Sequence, residues 1–248
     1  MRIKASTLLG LATIAVVALA LEVLVASGLL PDYVFVRPSA MIAAISGLFR
    51  EEDLANRFLL TFGSTLLSAG LATLGGVPLG WSFYRFRVLG QSFGHWVAAG
   101  AAAPLVLLYP LFLVAFGRGE GTIVAMGILA ASIPVILKTE EGLHEVRRVL
   151  IDVGRGLRLT RAQLFWKIQF PAAVPAIFTG IRLGLVFALI NVVGIEFLIN
   201  FGGLGQLIAD LADRYEVPSM HAAILFVVLV SVSFFWLTER LERWLRPA

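Results

Sequence analysis

The chain contains no cysteine, so it holds no disulfide, no thiolate nucleophile and no cysteine-bound metal. Charge is scarce as well. Only 15% of its 248 residues are Asp, Glu, Lys or Arg, where soluble domains carry about a quarter. The three histidines, His95, His144 and His221, are scattered, with none at metal-ligand spacing. No Gly-Lys dipeptide occurs, so ATP is not bound by a P-loop in this chain. His-Glu-x-x-His is absent, which argues against a zinc-dependent membrane-embedded protease.

What the chain has instead is apolar length. It is 59% hydrophobic with a mean hydropathy of +0.91. That composition identifies an all-α, polytopic membrane protein. Residues 1–248 fit one membrane domain of about five to seven helices and little else. Six apolar runs predict spans at about 8–30, 58–83, 96–116, 122–137, 174–199 and 220–238. A spanning helix needs roughly 20 residues, and the fourth run is shorter. It is expected to cross by local thinning of the bilayer or with Lys138 as a snorkelling end.

The N-terminus has the look of a signal peptide, with Arg2, Lys4, an apolar stretch and Ala18-Leu19-Ala20 as a cleavage site. The apolar run continues well past that site, so the first helix is expected to be retained. An even number of spans then places both termini on one side of the membrane.

The basic residues say which side. With both termini inside, fourteen fall on the inner side: Arg2, Lys4, Arg85, Arg87, seven in the segment 138–171, and Arg240, Arg243 and Arg246. Five fall outside: Arg37, Arg50, Arg57, Arg118 and Arg214. This is the positive-inside asymmetry. The outer segments carry Asp32, Glu51, Glu52, Asp53, Asp210, Asp213 and Glu216. The net charge of +4 therefore reflects membrane orientation and not affinity for nucleic acid.

The segment from Lys138 to Phe170 is the most charged part of an otherwise greasy chain. Lys138, Arg147, Arg148, Arg155, Arg158, Arg161 and Lys167 all lie in it, and Pro171 closes it. Leu150, Val153 and Leu157 fall at i, i+3 and i+7, so a helix here would have one apolar face. Arg147, Arg155, Arg158 and Arg161 would project around that face. Patterning alone leaves two readings open, a docking element for a soluble partner or a solvated amphipathic helix marking the inner surface.

Four polar residues lie within or near spans: Glu22 in the first, Arg182 and Asn191 in the fifth, and Glu196 near its outer end. Ionisable groups at membrane depth usually face protein or a water path. They are the candidates for a pathway or gate. Glu22 either pairs with a partner protein or snorkels outward. Arg182 is expected to snorkel inward. Asn191 either lines the pathway or bridges two helices. Glu196 is expected to act as a gate or loop anchor. Gly63, Gly70, Gly75, Gly76 and Gly80, with Gly180, Gly184 and Gly194, allow close helix approach. Gly202-Gly203-Leu204-Gly205 predicts a turn into a short outer helix.

Asp152-Val153-Gly154, followed at the right distance by Ile168-Gln169-Phe170-Pro171, resembles the cytoplasmic "EAA" loop of ABC importer permeases. The surroundings are similar too. Pro171 to Arg182 looks like the family's lead into the fifth helix, and Val36-Arg37-Pro38-Ser39 like its approach to the second. Gly75 to Gly80, Pro104 to Gly117, and Glu196 with Gly203-Leu204-Gly205 also match in order. The resemblance covers nearly the whole chain. It is nearest to permeases for nitrate, sulfonates, taurine and bicarbonate, a subgroup that includes pyrimidine-precursor importers.

The resemblance implies a type I ABC importer permease fold in a bacterial inner membrane, with six transmembrane helices and a coupling helix at about Ile151 to Leu159. Leu150, Asp152, Val153, Gly154, Arg155, Leu157, Arg158, Leu159, Thr160 and Gln163 would contact a cytoplasmic ATPase. That partner would bind the ATP and Mg; this chain would hold no cofactor. Further implied partners are a second permease copy or a homologous permease and an extracytoplasmic substrate-binding protein. The solute would be small, anionic or polar organic. Two positions depart from the pattern. Gly154 replaces the second Ala, and Arg158 stands where a Gly permits a turn. The turn is therefore expected to shift towards Gly156, or the helix to run on through Arg158. A self-contained ion-coupled carrier is the alternative class, but no repeat relates the two halves.

Overall fold

The computed structural model describes residues 5–245, and every regular element within them is helical. Arg2, Lys4 and Arg246, and with the first two the signal-peptide-like start, lie outside the described residues.

Helix α1 (Ala5–Ala26) is strongly apolar apart from Glu22 and touches little besides α2. Leu9, Ile14 and Leu19 are each at least 66% exposed, as befits a helix facing lipid or another chain. Helix α2 (Pro38–Arg50) is a short amphipathic element. Pro38 sits in its first turn, where a missing N–H costs nothing. The Val36–Ser39 segment thus starts this extra helix and not the second span itself. Helix α3 (Leu54–Arg85) is the second span, 32 residues long.

The third apolar run is not one straight helix. It forms α4 (Arg87–Ala102), a 3-10 turn at 105–108 and α5 (Tyr109–Phe116). The two pieces are bent 99° apart. Pro104 explains the break: a residue before proline is driven out of the α region, and Ala103 lies at φ −75°, ψ 140°. Five helices are each long and apolar enough to cross a membrane, and six spans result if this bent pair counts as one.

Helix α6 (Glu120–His144) corrects the expectation of a short fourth span. It has 25 residues, about 37 Å of helix, and needs no thinning of the bilayer. Hydropathy stops at Leu137, but the helix continues through Lys138 to His144, with Lys138 paired to Glu141 at 2.6 Å. The connecting segment is correspondingly shorter than 138–171. After it, α7 (Arg148–Gly156), α8 (Arg161–Leu164), a π-helical turn at 165–169 and α9 (Phe170–Ile199) follow. Residues Arg161–Ile199 form one near-continuous helix of 39 residues. The π turn precedes Pro171 and passes the Phe170 N–H to the Phe165 carbonyl, which eases the proline into the helix. Helix α10 (Gly203–Asp213) lies across the far end, and α11 (Val217–Leu245) closes the chain.

The bundle is organised around α6, which packs against α3 on one side and α9 on the other. Its Met126, Ala130 and Ala131 are fully buried. Small residues bring the backbones together, as membrane helices require. A Cβ on Gly80 would lie 2.6 Å from the Ile136 carbonyl oxygen, and one on Gly184 would lie 3.0 Å from that of Ala131. Gly76 and Gly180 meet α6 as closely. Gly63, Gly70, Gly75 and Gly194 face open space and have no such role in this chain.

Candidate functional site

The residues assigned to coupling form two short helices joined at a sharp corner. Helix α7 runs from Arg148 to Gly156, three residues earlier than expected at either end. Its strongly amphipathic sequence buries Gly154 and leaves Val149 and Val153 outward, 71% and 55% exposed. Leu150 is half-buried. Leu157 lies just past the helix and is 69% exposed, so it is not the third rung of the expected face. An outward apolar patch of Val149, Val153 and Leu157 results, flanked by exposed arginines.

The corner falls at Arg158. It neither shifts to Gly156 nor disappears into a longer helix: Arg158 itself adopts a left-handed φ of 54°. The Leu159 N–H donates to the Gly154 carbonyl at 3.1 Å, and the Arg158 N–H to the Arg155 carbonyl at 2.9 Å. That pair of bonds is a Schellman cap, which ordinarily takes glycine at this place. A non-glycine residue there costs about 1–2 kcal/mol. The second helix is started by a capping box. Thr160 Oγ1 accepts from the Gln163 N–H at 3.3 Å, and Gln163 Oε1 accepts from the Thr160 N–H at 3.0 Å.

Gly154 explains the other departure from the pattern. A Cβ there would lie 2.5 Å from Leu164 Cδ1 and 2.6 Å from Ile168 Cδ1. Helix α7 is thereby seated on the foot of the long 161–199 helix. Asp152 and Arg155 form an exposed pair at 3.5 Å, worth little in stability.

At the opposite end of the long helix sits Glu196, 2% exposed. Thr61 Oγ1 on α3 donates to its carboxylate at 2.8 Å, and the Gly205 N–H at 3.0 Å. The Leu204 N–H donates in turn to Thr61 Oγ1 at 2.8 Å. A buried carboxylate needs such partners. Gly203, at φ 68°, presses against it with no room for a Cβ. This knot fastens the start of α10 to α9 and α3. Leu204, Leu207 and Leu211 of α10 are buried against Leu48, Leu54 and Ala222. Outside the knot, Arg57 pairs with Asp210 at 3.2 Å and Arg214 with Glu52 at 2.7 Å. The hydrogen bond to Glu52 raises the Arg214 pKa above its ordinary value.

Thr61 was not among the candidates. Its signal is a stripe of small hydroxyl residues, Thr61, Ser64, Thr65 and Ser68, at helical spacing in an apolar span, all buried in the structure. Arg118, counted in the sequence only among the outer basic residues, has a structural role. It donates to the Ile199 and Asn200 carbonyls at 2.7 and 2.8 Å and caps the end of α9.

The remaining candidates lie apart from both sites. Glu22 accepts from the Ser39 N–H at 3.1 Å and from Ser39 Oγ at 2.7 Å, which ties α1 to the start of α2. The Arg182 guanidinium lies over the Phe235 ring of α11, 5.2 Å from its centroid. Asn191 Nδ2 donates to the Phe187 carbonyl of its own helix at 3.0 Å.

Comparison with known proteins places these features in a family. The profile of the family described as "Binding-protein-dependent transport system inner membrane component" matches residues 72–247. The osmoprotectant import permease protein OsmW of Salmonella typhimurium is 31% identical over 73% of this chain and 86% of its own length. The riboflavin transport system permease protein RibX of Chloroflexus aurantiacus is 30% identical over 64% of this chain. That match spans 59% of the relative's length. Among solved structures, an inward-facing form of the MetNI methionine ABC transporter superposes with a TM-score of 0.69. It covers 78% of this chain and 96% of that chain at 19% identity, a likeness of fold.

Proposed function

The chain belongs to the binding-protein-dependent transport system inner membrane components, and we propose that it couples a cytoplasmic ATPase to a solute pathway through residues 145–160. It is a multi-pass ABC importer permease, a class without a catalytic site of its own. In this proposal the ATPase binds the ATP and Mg. Both termini and α7 face the cytoplasm, as the distribution of basic residues supports.

The observation that carries the proposal is the seating of α7. It presents Val149, Val153 and Leu157 outward while Gly154 locks its inner side onto Leu164 and Ile168 of the long helix. The apolar patch enters a groove on the ATPase. Arg147, Arg155 and Arg158 reach carboxylates or carbonyls at the groove's edge. Closure of the ATPase pair on ATP pushes α7, and the 161–199 helix carries the push across the bilayer.

Glu196 and α10 stand at the other end of that helix, where an extracytoplasmic substrate-binding protein delivers the solute. A second copy of this chain, or a homologous permease, completes the pathway. The solute is small and polar or anionic. Riboflavin and osmoprotectants, named for two relatives, fall in the small polar range.

Reconstitution of the chain with its ATPase and binding protein in proteoliposomes tests this. Uptake is expected with ATP and not with a non-hydrolysable analogue. Equal uptake under both conditions overturns the proposal.

A further inference from the structure

Behind the coupling segment lies a cavity of about 830 Å³, bounded by the inner ends of α3 and α6 and by residues 155–170. One wall is aromatic. Trp81 and Phe165 lie 6.0 Å apart between ring centroids, and Phe165 and Trp166 5.1 Å apart. Arg85, Arg155 and Arg161 line its rim. Asp152 makes the exposed 3.5 Å contact with Arg155. Among the described residues, Arg85 and Arg161 have no carboxylate within ion-pairing distance.

The depth of the cavity is informative. Trp81 lies four residues, about 6 Å, before the end of α3 at Arg85. Trp166 lies just over a turn past the start of the long helix at Arg161. Trp166 is 64% exposed, and Trp81 37%. Two tryptophans at this level mark the boundary between headgroups and acyl chains. A basic pocket between helices at the cytoplasmic boundary is suited to an anionic headgroup.

We propose that this cavity binds an anionic phospholipid of the cytoplasmic leaflet. Its phosphate is held by Arg85 and Arg161, and the upper part of its acyl chains lies along Trp81, Phe165 and Trp166. Because Arg155 belongs to α7 and Arg161 begins the long helix on which α7 is seated, the lipid fills the space beside α7 and stiffens its seat. The inference rests on the cytoplasmic orientation proposed above.

The full-length chain is placed in phosphatidylcholine nanodiscs containing a minor fraction of brominated phosphatidylglycerol or, in parallel, brominated phosphatidylcholine. The quenching removed by Trp166→Phe and Trp81→Phe reports the cavity. Brominated phosphatidylglycerol is expected to quench it at much lower fractions. The preference should fall about fivefold for each arginine lost in Arg85→Gln and Arg161→Gln. The charge-conserving pair Arg85→Lys and Arg161→Lys should keep most of it, which separates lost binding from lost folding.

Equal quenching by the two lipids overturns the proposal. Protection from every brominated lipid also overturns it and leaves the cavity to a protein partner. Displacement of the phosphatidylglycerol signal by millimolar inorganic phosphate alone identifies a soluble-anion site and overturns the lipid assignment. Orientation is checked separately. In this cysteine-free chain, Thr160→Cys should be labelled from the cytoplasmic side only; labelling from outside removes the orientation, whatever the lipid result.

Discussion

The Thr61 hydroxyl on α3 donates to the Glu196 carboxylate on α9 at 2.8 Å, across 135 positions of sequence, and accepts from the Leu204 N–H at the same distance. One hydroxyl thus joins three helices. Thr61→Val keeps the shape but leaves the Leu204 N–H without its partner and strips the carboxylate of one. The expected loss is about 1–3 kcal/mol, or several degrees in the melting temperature of the purified chain. In a double-mutant cycle with Glu196→Gln the two changes should couple by more than about 0.5 kcal/mol. Strict additivity would show that the contact carries no energy.

Arg158 occupies a left-handed corner that suits glycine. Arg158→Gly is therefore expected to stabilise the chain by about 1 kcal/mol, and Arg158→Val to destabilise it. Thermal unfolding in detergent measures both. If the glycine variant melts lower than the parent, the corner is held by contacts of the arginine side chain and not merely tolerated.

Leu157→Asp places a charge in the outward apolar patch beside α7 without touching the packed side. Loss of that contact, worth about 2 kcal/mol, should weaken ATPase association more than tenfold. Insertion of the spans and the melting temperature should stay unchanged. Co-purification with the ATPase reads the first outcome and protease mapping the second. Undiminished association removes Leu157 from the docking surface.

Two glycines of α3 should respond in opposite senses. Gly80→Ala drives a methyl into the Ile136 carbonyl of α6 and should cost about 1–3 kcal/mol. Gly63→Ala faces open space in a helix and should gain about 0.5–1 kcal/mol. Paired melting curves decide the matter, and a shared sign would contradict the packing described for α3 and α6.

Apolar runs made the helical membrane fold legible in the sequence, and the cluster of basic residues marked the segment that holds α7. Motif spacing did the same for Gly154, Glu196 and the α10 turn. The break at Pro104 was hidden because hydropathy carries no direction: two helices at 99° have the same apolar content as one straight span. The extent of α6 was hidden for the converse reason. Residues 138–144 are polar and still helical, since they have left the lipid but not the hydrogen-bond ladder. Thr61 escaped notice because small hydroxyl residues in a span resemble packing residues, and only the carboxylate opposite gives the stripe its purpose. Arg158 was correctly marked as a misfit, yet the cap kept its place because the backbone bonds from Arg158 and Leu159 outweigh the strain.

The 39-residue helix from Arg161 to Ile199 has a further consequence. It is a beam about 58 Å long, with the α7 seat at one tip and the Glu196 knot near the other. A tilt of about 5° around its middle swings the two tips about 2.5 Å in opposite directions. Widening at one face and narrowing at the other are then a single movement of one stiff body, and no signal has to be relayed from residue to residue between them.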